Sequence, residues 1–192
     1  MTRHLIVAVA MLTACAGAPR GARTPTPLTS VDTVYYEVAG STPAQWRRQL
    51  PRAAQAAGIP GSGVTYTLAH MLLNPGYLRT TPTGCQFEQS FLQLRIGHVM
   101  PRLPASAAPS AEDRASWDAF VAALWERAHV REEVGQRLAD SIRAEVRGAH
   151  AQECAPLIEQ TRRKTEAFGA RYRAAVQAAD ASLGEELRPV LP

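Results

Sequence analysis

The stretch PRLPASAAPSAED, residues 101–113, constrains the fold more than any other, because the hydrophobic period changes across it. Proline fixes φ and lacks an N–H, so this run reads as a linker through which neither a helix nor a central strand continues. Before it the pattern is that of strands. VTYTLAHMLL (64–73) alternates, and CQFEQSFLQLRIGHVM (85–100) sets Leu92, Leu94 and Ile96 on one face and Gln93 and Arg95 on the other. After it everything reads as helix. Trp117, Phe120, Val121, Leu124, Leu138 and Ile142 recur at helical spacing on a first long helix that starts near Ser110 or Glu112. Ile158, Thr165, Phe168, Tyr172, Val176, Leu183 and Leu187 do the same on a second, from about Pro156. Strands first and helices second argue an α+β fold: a small antiparallel sheet in the N-terminal half, packed against two long amphipathic C-terminal helices.

Two further elements come from the first half. VDTVYYEVAG, from Val31, is β-branched and aromatic and reads as a strand. Ser41 or Thr42 can cap a helix with Pro43 in its first turn, running to about Ala57, where GIPGSG ends it. With 192 residues, 46% hydrophobic and 20% charged, the chain suits one globular domain, 31–188. The +4 formal charge is almost all arginine, Lys164 being the only lysine. Those arginines are spread along the chain without the clustering of an electrostatic footprint, so nucleic acid is not an expected partner.

The first 15 residues, MTRHLIVAVAMLTAC, have a short basic start (Arg3, His4) and an apolar run from Leu5 to Leu12. That run is too short to span a bilayer and suits a signal peptide. Its end, Leu12-Thr13-Ala14-Cys15, resembles the bacterial lipobox, in which the cysteine sulfur receives diacylglycerol. The expectation is a signal peptide over 1–14, lipidation at Cys15 and a Pro/Gly/Thr-rich flexible tether over 15–30. The plainer alternative is an ordinary secretory signal with a chance cysteine. Ala16 is not the aspartate that holds such proteins at the inner membrane, so the periplasmic face of the outer membrane is expected. With Cys15 lipidated, Cys85 and Cys154 remain as a pair in an oxidising compartment. A disulfide is the default, two free buried thiols the alternative.

The order of these features resembles a family of bacterial secreted proteins predicted to be zinc-dependent proteases. YYEVAGSTPAQWRRQL (35–50) resembles the family's Tyr-Tyr-x-Val-x-Gly-x-Thr strand. Cys85 precedes a strand that ends in Leu103-Pro104, as in the family. WDAFVAAL (117–124) resembles the Trp-x-x-[Phe/Tyr]-x-x-x-Leu run that leads there into His-Glu-x-x-His, and Cys154 stands for the second cysteine. The resemblance covers roughly residues 31–188 and implies a protease-like domain of zincin-like fold.

The metal motif itself departs from the family. Counting on from Leu124 without a gap puts Arg127, Ala128 and Arg131 at the His, Glu and His positions. Sliding by two residues gives Trp125, Glu126 and His129 instead. Helix phase separates the two. At about 100° per residue from Leu124, Arg127 lies near −60° and Arg131 near −20°, beside the apolar stripe. Glu126 lies near −160° and His129 near 140°, on the solvent side with Glu133 and Asp140. A zincin's ligand pair must face the sheet and cleft, so the ungapped register is favoured and Glu126 and His129 read as surface residues. The family's closing Thr-x-His-Gly motif finds only ASLG (181–184), with Leu183 in place of the histidine.

No catalytic residue, metal ligand or cofactor is therefore expected. An inward pair of arginines requires carboxylates or an anion, unless the long stems snorkel to the edge of the stripe. The leading expectation is a lipid-anchored envelope protein, a pseudoenzyme on a metalloprotease-like scaffold. One alternative is an active metallopeptidase with a non-standard zinc site, Glu126 as general base and His129 as ligand, helped by His70 or His98, which could be strand neighbours. The other is an interaction or scaffold module for an envelope protein or peptide. No Gly-x-Ser-x-Gly motif and no phosphate-cradling glycine loop supports another chemistry.

Overall fold

The computed structural model describes residues 28–74, 78–87, 92–147 and 149–182. The expected signal peptide, Cys15, Leu183 and Leu187 lie outside them. The order of elements is β1 (Thr29–Glu37), α1 (Pro43–Ala56), β2 (Tyr66–Leu73), β3 (Leu78–Thr81), β4 (Gly84–Phe87), β5 (Leu92–Arg102), α2 (Ala111–Val146), β6 (His150–Ala151) and α3 (Cys154–Ser182). The α+β class is as the sequence indicates: small sheets in the first half, long helices in the second. The first strand starts at Thr29, inside the stretch read as tether.

The main sheet has the order β1-β5-β2. It is mixed rather than wholly antiparallel: β2 runs antiparallel to β5, but β1 runs parallel to it, Val31 facing Ile96 and Thr33 facing His98. A parallel neighbour needs a long crossover, and the α1–β2 region supplies it. The expected strand over 85–100 is two strands: β4 joins a second small sheet, β3-β4-β6, and β5 is the centre of the first. β5 also runs two residues into the proline-rich linker. Hydrogen bonds from the Leu94 amide to the Leu28 carbonyl and from the Val38 amide to the Arg102 carbonyl put the even-numbered peptide groups of β5 on the β1 side. The nitrogen of Pro101 therefore faces the β2 side, where pairing already stops at Tyr66–Val99, and no ladder bond is lost.

Helix α2 starts where a cap allows it. The Ser110 hydroxyl accepts from the Asp113 amide at 3.1 Å, and Glu112 and Asp113 supply negative charge to the first turn. Two clusters form the interior. One joins Leu92, Leu94 and Ile96 of β5 to Ile142 and Val146 of α2 and Phe168 and Tyr172 of α3. The other joins Trp46 and Leu50 of α1 to Met100, Trp117, Phe120 and Leu124, with Trp46 and Trp117 at 5.1 Å between ring centroids. Gly135 lies where α2 meets β2 and α3: a Cβ there would make ordinary contact, 3.4 Å from the Tyr172 ring and 3.5 Å from Ala69.

Cys85 of β4 and Cys154, the first residue of α3, form a disulfide with 5.3 Å between Cα atoms, so the pairing alternative holds over free thiols. It pins the small sheet to the second helix. Gly84 beside it has φ +140°, and an added Cβ would lie 2.1 Å from the Ala151 carbonyl oxygen, so β4 and β6 can come this close only with a glycine at 84. Among the described residues no helix is long and apolar enough to cross a membrane.

Candidate functional site

The middle of α2 brings its side chains over the sheet and against the end of α3. Trp117, Phe120, Leu124 and Ala128 are buried along one stripe, and the same stripe carries Arg127 and Arg131 on its flank. Their side chains are 23% and 17% exposed, as the helix phase requires. Glu126 and His129 are exposed on the other side. Both arginines reach Asp180 of α3. Arg131 donates to one carboxylate oxygen at 2.8 Å, and Arg127 stands 3.6 Å from the other. The carboxylate that an inward arginine pair requires is thus internal. Sequence reading missed Asp180, although Phe168, Tyr172, Val176 and Asp180 form one four-residue series along the buried stripe of α3. An acidic residue ending that stripe was the available signal.

The histidines do not converge. His98 is buried on the inner face of β5, its Nδ1 3.1 Å from the Thr67 hydroxyl and its Nε2 3.5 Å from a carboxylate oxygen of Glu132. His70 is exposed: β2 pairs it with Arg95, three residues along from the Thr67–His98 pair, and so on the opposite face of the sheet. The expectation that His70 and His98 could be neighbours is thus corrected by the register. The Trp125 ring lies 5.6 Å from that of His98 and 5.6 Å from that of His129. Among the described residues no three of His, Cys, Asp and Glu are grouped so as to hold a metal ion. The guanidinium groups of Arg127 and Arg131 and the methyl of Ala128 have no lone pair to offer zinc, so the residues at these positions do not fit a zinc centre.

Burial holds the His98 imidazole below its ordinary pKa, against the opposing pull of the Glu132 carboxylate; the nearby His129 lowers it further. The sign of the consequence is fixed. Below about pH 6.5 the unfolded chain takes up a proton that folded His98 resists, so stability falls as pH drops from there and is constant above. Urea unfolding at pH 7.5 and pH 5.5 is expected to show a loss at the lower pH that His98→Gln reduces. An equal pH dependence in both chains would contradict this placement of His98.

Two hollows flank the Arg131–Asp180 pair. The larger, about 610 Å³, lies between β2 and α3; the smaller, about 270 Å³, lies between the residues before β2 and Leu124, Arg127 and Arg131 of α2. Thr65 and Arg131 border both. At the larger hollow Tyr172 is buried, its ring stacked on Phe168 at 5.9 Å, and its hydroxyl finds no hydrogen-bond partner among the described residues. Burial pushes its pKa up to about 12, so the hydroxyl is a neutral donor at physiological pH. The arrangement can hold a polar ligand by hydrogen bonds and charge. The hydroxyl set against an imidazole here, Thr67 on His98, is buried with its partner.

A family model described as bacterial protein of unknown function (DUF922) matches residues 33–186. No curated protein and no solved structure matches the chain.

Proposed function

Because the chain belongs to the DUF922 family of bacterial proteins, we propose that it is a non-catalytic envelope protein on a zinc-protease-like scaffold, anchored by lipid at Cys15. The single observation that supports this is the Arg131–Asp180 ion pair at 2.8 Å, with Arg127 beside it. In the resemblance to secreted zinc proteases, Arg127 and Arg131 stand where two histidines would bind metal, and Ala128 where a glutamate would activate water. Guanidinium groups can do neither task. Asp180 gives the exchanged residues an internal counter-charge, although Arg127 Nε, Arg131 Nε and Asp180 Oδ1 stay buried without a hydrogen-bond partner among the described residues. The anchor places the domain at the periplasmic face of the outer membrane, with an envelope protein or peptide as its partner.

The test is cleavage of casein by the purified chain, with and without added zinc. The expected result is no zinc-dependent hydrolysis. Cleavage that disappears in Glu126→Ala or His129→Ala would establish the other reading, an active metallopeptidase with a non-standard site. Cys15→Ser is expected to move the protein from the membrane to the soluble fraction of the cell envelope; unchanged membrane association would remove the anchor.

A further inference from the structure

The larger hollow is bordered by residues 65–70 in unbroken succession. Alternate residues of a strand point to opposite faces, so consecutive residues line one groove only if it runs along the strand's edge. β2 is the last strand of its sheet, and among the described residues none pairs with its outer side. The odd-numbered residues of β5 face β2 and exchange bonds with Tyr66, Leu68 and His70. The peptide groups of Thr67 and Ala69 therefore point outward, into the groove. The facing wall is one stripe of α3: Gly169, Tyr172, Arg173, Val176, Gln177 and Asp180. The five β2 residues among them, 66–70, extend about 17 Å, and the α3 stripe about 17 Å, so the walls match in length.

Three features of that wall lack a purpose within the chain. The Tyr172 hydroxyl is buried and unpaired. Arg173 has no ion pair among the described residues, and its guanidinium leans over Gly169, where a Cβ would meet only an Arg173 nitrogen at 3.6 Å. Gly169 itself sits inside a helix at a cost of about 1 kcal/mol relative to alanine. Packing does not require a glycine there.

We propose that this groove binds an extended polypeptide segment of about five residues, which adds as a fourth strand to the outer edge of β2 and bears an acidic side chain facing Arg173. The backbone of the segment meets the peptide groups of Thr67 and Ala69, and one of its carbonyls accepts from the Tyr172 hydroxyl. This deepens the non-catalytic reading, on which it rests, by naming the partner of the same site.

The probe is a displayed library of random hexapeptides, followed by synthesis of the best binder. Enrichment of acidic, β-prone sequences is expected. Methylating one alternate set of the peptide's amides should abolish binding and methylating the other should not, because only every second N–H of an added strand faces its neighbour. Gly169→Leu fills the groove and should weaken binding at least about tenfold, with unfolding temperature unchanged or raised. Arg173→Gln should weaken acidic peptides several-fold and spare neutral ones. No enrichment, equal tolerance of both methylation patterns, or full binding to Gly169→Leu overturns the proposal. So does a dimer that Gly169→Leu dissociates, which would make the occupant a second copy. A peptide that binds and is then hydrolysed leaves the groove standing and removes the non-catalytic reading; a zinc-free chain that binds nothing removes the groove alone.

Discussion

Reducing the Cys85–Cys154 disulfide is expected to lower the unfolding free energy by about 4 kcal/mol, by the chain-entropy estimate for a loop of this size. The two cysteines are 69 positions apart. The loop between them holds β5, all of α2 and β6, so an unbridged chain regains freedom across the middle of the domain. The bond also acts locally. Cys85 is 2% exposed and packs in the larger core cluster with Phe87 and Leu157, and β4 meets β6 through only two residue pairs. For a domain of this size 4 kcal/mol corresponds to a fall of roughly 10 °C in Tm. Thermal unfolding with and without reductant measures it. A Cys85→Ala/Cys154→Ala chain should unfold near the reduced protein and ignore reductant. A wild-type chain indifferent to reductant would contradict the assignment.

Asp180→Ala is the second large effect. It leaves Arg127 and Arg131 beside the core with no counter-charge. Removing one partner of a fully buried pair costs roughly 3–5 kcal/mol. These three side chains keep 17–24% of their exposure, and solvent screening reduces the loss to about 2–3 kcal/mol. Urea unfolding at neutral pH checks the value. Asp180→Asn, which retains an acceptor for Arg131 without the charge, should lose less. Arg127→Met/Arg131→Met/Asp180→Leu should recover most of the stability, since it removes the charges together. A helix-propensity effect at position 180 would predict the reverse order, with the triple variant no better than Asp180→Ala. A loss under about 0.5 kcal/mol in Asp180→Ala would show that the pair carries no weight.

What could be read from the sequence was local. The start of α2 at Ser110, the inner face of β5 and the split into strands and helices follow from caps, alternation and period over short windows. The half-burial of Arg127 and Arg131 and the exposure of Glu126 and His129 follow from phase along one helix, which needs no partner. What escaped required knowing which distant segments meet. Asp180 lies 49 positions from Arg131, and nothing in the text of α2 points to the end of α3. The parallel pairing of β1 with β5 has no local signature. Whether His70 and His98 share a face depends on the β2–β5 register, and a one-residue slip reverses the answer. Glu132, beside His98, went unnoticed because it stands at the margin of the apolar stripe. Arg143, 7% exposed, was equally silent: it donates to the carbonyls of Leu92 and Leu28 at the start of the sheet. A charged residue in a run that otherwise reads as surface gives no sign of such a partner.

The proposed function rests on one claim: the positions where the resemblance to secreted zinc proteases puts two histidines hold two guanidinium groups, paired with a carboxylate from the last turns of α3. The measurement that bears on it most directly is the zinc content of the full purified chain after equilibration with the metal and removal of excess. The account predicts substoichiometric zinc, unchanged in Glu126→Ala and His129→Ala. One tightly held zinc per chain, lost when His129 is replaced, would contradict it.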